Sequence, residues 1–100
     1  MRIRIFYFEG CPNLEPTVER VRNVARSHGV EDRVETVEVV SDVDAVAERF
    51  LGSPTVQIDG VDIDPVARDK SDFLMGCRLY GTSGVPPESM IDAAIREVRR

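Results

Sequence analysis

Cys11 is the residue in this chain whose surroundings best suit covalent chemistry. It lies in the loop Gly10-Cys11-Pro12, between an apolar, β-prone run at residues 3–8 and a helical pattern that begins at Leu14. A cysteine between the carboxyl end of a strand and the amino end of a helix lies near unpaired backbone N–H groups, which favour the thiolate. Because the thiolate is the nucleophilic form of cysteine, the pattern predicts a reactive thiol.

The start of the helix after Cys11 decides how strongly the helix supports a thiolate. Proline is tolerated in the first turn of a helix but breaks the helix further in, which constrains Pro16. With Asn13 as the N-cap, Pro16 takes the third helical position, whereas a Cys11 cap would move it to the fifth. Cys11 is therefore predicted to lie just ahead of the helix, where the dipole is weaker. Glu9 and Glu15 add negative charge that opposes a thiolate.

Cys77 is the second thiol, and it lies in a long connection predicted at about residues 64–86. Connections of this length are usually functional or disordered. Its apolar residues argue for an ordered segment, with a helical turn at about residues 71–75. These residues are Phe73, Leu74, Met75, Leu79 and Tyr80. Two interpretations of Cys77 stay open: a small buried apolar residue, or a resolving thiol that meets Cys11.

The other polar candidates are interpreted as structural. His28 is expected to be a helix cap or a partly buried residue, and Arg68 and Arg78 are expected to be solvated. One histidine and two cysteines leave a tetrahedral zinc site incomplete, so no structural zinc site is predicted. Five aspartates lack the spacing of a calcium loop and are interpreted as a solvated acidic face. They are Asp59, Asp62, Asp64, Asp69 and Asp72.

Periodicity and turn signals predict the element order βαβαββα. Strands are expected at 3–8, 33–40, 55–58 and 61–63, and helices at 14–28, 42–51 and from about 88 onward. The clearest boundary signals are Gly29 as a left-handed C-cap, a capping box from Ser41 to Asp44, and an Asp59-Gly60 hairpin turn. The order implies an α/β fold with a four-stranded mixed sheet and helices on both faces, in one domain over residues 1–100.

Composition excludes several classes of partner. The chain has 100 residues, 42% of them hydrophobic, and a formal net charge of −5, which argues against a nucleic-acid or an anionic membrane surface. No apolar run approaches the roughly 20 residues of a membrane span, and Arg2 and Arg4 interrupt any signal-peptide pattern. Two cysteines are too few for a disulfide scaffold, so we expect a cytoplasmic protein.

Two motifs in this element order resemble the thioredoxin/glutaredoxin fold: Gly10-Cys11-Pro12 after the first strand, and Ser53-Pro54-Thr55 entering the third. The resemblance implies that Cys11 is the nucleophile. It also implies that Pro54 follows a cis peptide bond beside Cys11, and that Pro12 and residues 53–55 bind substrate. The alternative is an ordinary trans proline that opens an edge strand. The stretches 9–13 and 53–56 also resemble small bacterial thioredoxin-family proteins, some of which carry names linked to alkylmercury lyase.

The chain departs from the dithiol members of that family at Leu14, where a Cys-x-x-Cys loop has its second thiol. Three functions stay open. The first is a monothiol oxidoreductase without a bound cofactor, in which Cys11 attacks disulfide or glutathionylated substrates and Cys77, glutathione or another protein resolves the intermediate. The second is a carrier that holds mercury or copper(I) between two thiolates. The third is a thioredoxin-fold binding module in which Cys11 is inert.

Overall fold

The computed structural model describes residues 1–100 and contains four strands and three α-helices in the order βαβαββα. The strands are β1 (Ile3–Tyr7), β2 (Val34–Glu38), β3 (Thr55–Ile58) and β4 (Val61–Asp62). The helices are α1 (Leu14–Ser27), α2 (Asp42–Ala47) and α3 (Glu88–Val98), with short 3₁₀ turns at Glu31–Arg33 and Pro65–Ala67. The predicted α/β class and element order are therefore confirmed.

The four strands form one mixed sheet in the order β2-β1-β3-β4. β1 and β2 are parallel, as expected for two strands joined by a helical crossover, whereas β3 is antiparallel to both of its neighbours. β3 and β4 form the predicted hairpin, in which Asp59 and Gly60 have φ values of +52° and +82°. Positive φ at both positions is typical of the tight turn that Asp-Gly favours.

Alternating side chains of β1 separate two apolar layers. Ile3 and Ile5 point to a larger core, together with residues of β2, β3, α1 and α3. Phe6 points to the opposite face, where it packs with Val39, Ala45 of α2 and Phe50. Helices therefore cover both faces of the sheet. Successive side chains of a strand point to opposite faces, so the mostly apolar β1 needs both faces shielded from solvent.

The ends of α1 and α2 follow local signals in the chain. Gly29 has φ +71°, and the N–H of Val30 donates to the carbonyl of Ala25, which confirms the predicted left-handed C-cap of α1. The Ser41 hydroxyl accepts from the N–H of Asp44, which confirms the serine cap of α2.

The prediction that α2 continues to about Leu51 was wrong. Arg49 adopts φ +56°, and the N–H of Phe50 donates to the carbonyl of Ala45. This backbone arrangement ends the helix at Ala47 and turns Phe50 into the core.

The connection between β4 and α3 is organised differently from the prediction. Residues 71–75 contain no helical turn, and the turn lies instead at Pro65–Ala67, where the Asp64 carboxylate accepts from the N–H of Val66. Aspartate followed by proline favours this arrangement, because the carboxylate caps the turn and proline needs no hydrogen-bond acceptor there. No helix of the chain has the length and apolar character needed to cross a membrane.

Candidate active site around Cys11 and Ser53

The antiparallel pairing of β1 and β3 brings two segments singled out in the sequence to the same end of the sheet. Phe6 of β1 lies opposite Thr55 of β3. Phe8, two residues after Phe6, lies near Ser53, two residues before Thr55, and its N–H donates to the Ser53 hydroxyl at 3.4 Å. The turn that carries Cys11 is thus attached to the segment that enters β3.

Cys11 follows a tight turn that begins at Phe8. Its N–H donates to the Phe8 carbonyl at 3.3 Å, and Gly10 occupies the third position of this turn with φ +86°. Glycine suits that position because a side chain is strained at positive φ. The Cys11 carbonyl accepts from the N–H of Leu14 at 3.3 Å, and the thiol is free and partly exposed. Pro12, the next residue, is exposed.

The start of α1 offers Cys11 few free donors. Asn13 is the N-cap, as predicted, but its side chain makes no capping hydrogen bond and instead contacts Gly84 of the long connection. Pro16 has no N–H, and the Leu14 and Thr17 N–H groups are bonded to backbone carbonyls. The N–H of Glu15 is the donor of the first turn that has no partner within the chain.

Cys77 lies on the other side of Ser53. The N–H of Ser53 donates to the Gly76 carbonyl at 2.7 Å, and the N–H of Arg78 donates to the Ser53 carbonyl at 3.0 Å. These two bonds form an isolated parallel bridge between Ser53 and Cys77, and the Cys77 thiol is free and exposed. We call residues 76–80 the Cys77 segment. The interpretation of Cys77 as a buried apolar residue was wrong.

Residues 53–55, the predicted substrate-binding segment, are buried and hydrogen-bonded within the chain. The Ser53–Pro54 peptide bond is cis, and the Pro54 carbonyl accepts from the Tyr80 hydroxyl at 2.7 Å. The Thr55 hydroxyl donates to the Gly52 carbonyl at 2.6 Å. Ser53 and Thr55 are both fully buried. The Cys77 segment therefore already uses the backbone groups of Ser53 that an extended ligand would pair with.

Arg78 and Asp62 form a buried ion pair that sequence reasoning missed. The guanidinium donates to both carboxylate oxygens, at 2.6 and 2.9 Å, and the two side chains are 6% and 8% exposed. The predictions that Arg78 is solvated and that Asp62 belongs to a solvated acidic face were both wrong. Burial by itself lowers the pKa of Arg78, but the hydrogen bonds to Asp62 hold that pKa above its ordinary value.

Side chains of the Cys77 segment alternate between solvent and the interior. Cys77 and Leu79 are exposed, whereas Arg78 and Tyr80 are buried, which is the alternation of an extended chain. The Arg78 guanidinium lies 4.4 Å from the centre of the Tyr80 ring, so the two buried side chains also contact each other. Burial raises the pKa of the Tyr80 hydroxyl well above its ordinary value.

His28 lies at the carboxyl end of α1, the opposite end of that helix from Cys11. Its Nε2 atom is 2.6 Å from Oδ1 of Asp92, and its side chain is 14% exposed. The partly buried structural role expected for His28 agrees with this placement. It brings no acid or base to the thiol.

Compared with known proteins, the chain matches no protein-family model, no curated protein and no solved structure. Function is therefore inferred from the residues around Cys11 and Ser53 themselves.

Proposed function

We propose that this chain is a thioredoxin-like thiol oxidoreductase in which Cys11 is the nucleophile. The observation that carries the proposal is the position of Ser53 between the two cysteine-bearing segments. Its hydroxyl accepts from Phe8, in the turn before Cys11, and its backbone pairs with Gly76 and Arg78 on either side of Cys77. This arrangement supports a nucleophilic thiol and a second thiol that serve one reaction.

The proposed reaction transfers two electrons from thiols to a disulfide. The Cys11 thiolate attacks one sulfur of the substrate disulfide, a new S–S bond forms, and the other substrate sulfur leaves as a thiolate that takes up a proton. A second thiolate then attacks Cys11 and releases the remaining substrate thiol. If Cys77 supplies that thiolate, the product is a Cys11–Cys77 disulfide. If glutathione supplies it, Cys11 returns to the thiol when a second glutathione removes the first.

The intermediate is resolved either by Cys77 or by an external thiol such as glutathione. Leu14 occupies the position where a dithiol loop has its second cysteine, so the Cys11 turn itself cannot resolve the intermediate. Cys77 is held by the hydrogen bonds around Ser53, and it can approach Cys11 only if the two Cα atoms come within about 7 Å. The cytoplasm, where glutathione keeps thiols reduced, is the proposed setting.

The test compares three proteins in the reduction of a glutathionylated peptide in the presence of glutathione. Wild type is expected to turn over, Cys11→Ser to fall to the rate of glutathione alone, and Cys77→Ser to retain turnover because the external thiol replaces it. If Cys11→Ser reacted as fast as wild type, the proposal would be wrong. A wild type no faster than glutathione alone would favour the binding module.

The same three proteins separate the oxidoreductase from a soft-metal carrier. Two thiolates are enough for two-coordinate mercury or copper(I), so a carrier needs both cysteines and no turnover. Stoichiometric copper(I) binding that either serine variant abolishes, with no disulfide reduction by wild type, would replace the proposed function with the carrier.

A further inference from the structure

A groove of about 440 Å³ lies beside the turn that carries Cys11. Four of its six lining residues are apolar, two are carboxylates, and none is basic. They are Phe8, Glu9, Glu38, Val39, Val40 and Met75. The lining of the groove therefore combines apolar side chains with two negative charges.

The groove adjoins the turn before Cys11 and the residue before the Cys77 segment. The Phe8 carbonyl accepts a hydrogen bond from the N–H of Cys11, and Glu9 lies two residues before that cysteine. On the other side, Met75 directly precedes Gly76, which accepts from Ser53 beside Cys77. A ligand in this groove would thus contact the turn before Cys11 and Met75, which directly precedes the Cys77 segment.

Further exposed apolar side chains follow the groove residue Val40 in the chain. Val40 is 67% exposed, and the chain runs from it into α2, where Val43 and Val46 are 78% and 59% exposed. Val43 and Val46 are three residues apart and share one face of the helix. Several exposed apolar side chains in neighbouring residues mark an interaction site more often than a single one does.

The charges of the groove are free to act on a partner. Neither Glu9 nor Glu38 forms a salt bridge or a side-chain hydrogen bond within the chain. Asp42 and Asp44 add two carboxylates in the first turn of α2. A net charge of −5 over the chain gives a field of the same sign, which attracts basic partners.

We infer that this groove docks an extended polypeptide segment that combines apolar side chains with lysine or arginine and carries the disulfide that Cys11 attacks. The inference rests on the proposed function and names its substrate class. Glutathione, which is acidic and has no large apolar side chain, complements this groove poorly. Because the Ser53 backbone is already paired, side-chain contacts in the groove have to supply the selectivity.

The test uses three synthetic peptides, each with one cysteine activated as a mixed disulfide with thionitrobenzoate, whose release is followed by absorbance. One peptide places apolar and lysine residues around the cysteine, the second replaces lysine by glutamate, and the third replaces the apolar residues by serine. The apolar, basic peptide is expected to react with wild type about tenfold faster than either of the others. Its advantage over the glutamate peptide should shrink as salt is added.

Two double variants test whether the selectivity among the peptides comes from the groove. Glu9→Gln with Glu38→Gln should remove most of the advantage of lysine over glutamate, and Val40→Ser with Met75→Ser should remove most of the apolar advantage. The matched control is Glu19→Gln with Asp69→Asn, which changes the net charge equally at exposed, unpaired positions elsewhere. If that control lost as much selectivity as the groove variants, the selectivity would come from the overall charge of the chain and the inference would be wrong.

A second measurement separates failure of the groove from failure of the chemistry. Peptides with serine in place of cysteine are titrated into the chain, and binding is followed by amide chemical shifts of Phe8 and Met75. Selective binding at these residues without thiol exchange would support the groove and overturn the oxidoreductase. Exchange with Cys11 at equal rates for all three peptides, without selective binding, would overturn the groove and leave the oxidoreductase standing.

Discussion

The guanidinium of Arg78 donates to both carboxylate oxygens of Asp62, and this buried contact fixes the Cys77 segment against β4. The residue that carries the charge directly follows Cys77, and its backbone N–H donates to Ser53. A charged side chain taken out of water requires such a partner, because the penalty for burying it alone is several kcal/mol. The position of the Cys77 thiol therefore depends on a pair of charges that lie beneath it.

Arg78→Ala is expected to destabilise the fold by about 3–5 kcal/mol, because it leaves the Asp62 carboxylate buried without its partner. Arg78→Lys should be destabilising as well, since an ammonium group cannot reproduce the two parallel hydrogen bonds. Urea denaturation followed by circular dichroism measures both losses. Loss of the ion pair between Arg78 and Asp62 should also speed alkylation of Cys77 in the variants that remain folded.

The matched control for this prediction is Arg33→Ala. Arg33 pairs with Asp32 at 3.5 Å, but both side chains are largely exposed. Exposed pairs contribute about 0–1 kcal/mol, so this variant should unfold close to wild type. Equal losses at Arg33 and Arg78 would show that the buried pair has no special role.

Gly52→Ala is expected to release the Cys77 segment from Ser53. Gly52 has φ +111°, and a Cβ there would lie 3.0 Å from the Gly76 carbonyl oxygen and 3.1 Å from Cβ of Arg78. Because both the backbone conformation and the close approach exclude a side chain, the variant should lose about 1–3 kcal/mol of stability. Alkylation of Cys77, measured by mass spectrometry, should become faster than in wild type.

Gly29→Ala separates the effect of positive φ from the effect of the close approach to the Cys77 segment. Gly29 also has positive φ, +71°, but nothing lies within 4 Å of its added Cβ. The control should lose about 1 kcal/mol without a change at Cys77. If both variants left Cys77 alkylation unchanged, the contact between Gly52 and the Cys77 segment would not control that thiol.

The main elements could be predicted from the sequence because their signals are local. The alternation along β1, the left-handed Gly29 and the Asp59-Gly60 turn each depend on residues that are neighbours in the chain. The position of Cys11 ahead of α1 also follows locally, since Pro16 limits where the helix can begin.

The environment of Cys77 depends on contacts between residues far apart in the chain. Arg78 meets Asp62 across 16 residues, and Tyr80 meets Pro54 across 26. Arginine side chains are usually exposed, and no residue next to Arg78 in the sequence indicates that Asp62 is its partner. For the same reason the sequence did not predict that the Cys77 segment would use the Ser53 backbone.

Acid is expected to destabilise the chain partly through Asp92. Hydrogen bonds from His28, and then from Arg96, hold the pKa of this carboxyl below its ordinary value. A carboxyl whose pKa is lowered by folding stabilises the fold above its unfolded pKa of about 3.9, and that contribution is lost as pH falls through the lower folded value. Asp92→Asn should therefore show a smaller loss of stability below about pH 4 than wild type.

Urea denaturation at a series of pH values checks this prediction, and salt provides its control. Asp92 is near the surface, so the difference between wild type and Asp92→Asn should shrink as ionic strength increases. A variant whose stability falls with acid as steeply as wild type at low salt would contradict the assigned role of Asp92.

Leu14→Cys is expected to make reduction of a small disulfide independent of glutathione, because it places a second thiol in the same turn as Cys11. The N–H of residue 14 already donates to the Cys11 carbonyl at 3.3 Å, so the backbone holds the two positions together. The expected loss of stability is about 1–2 kcal/mol, since Leu14 packs partly against the core. Leu14→Ser is the matched control, which loses the same packing without gaining a thiol. If Leu14→Cys released no more substrate thiol per chain in a single turnover than Leu14→Ser, then the turn that holds Cys11 would not have the geometry needed for thiol exchange.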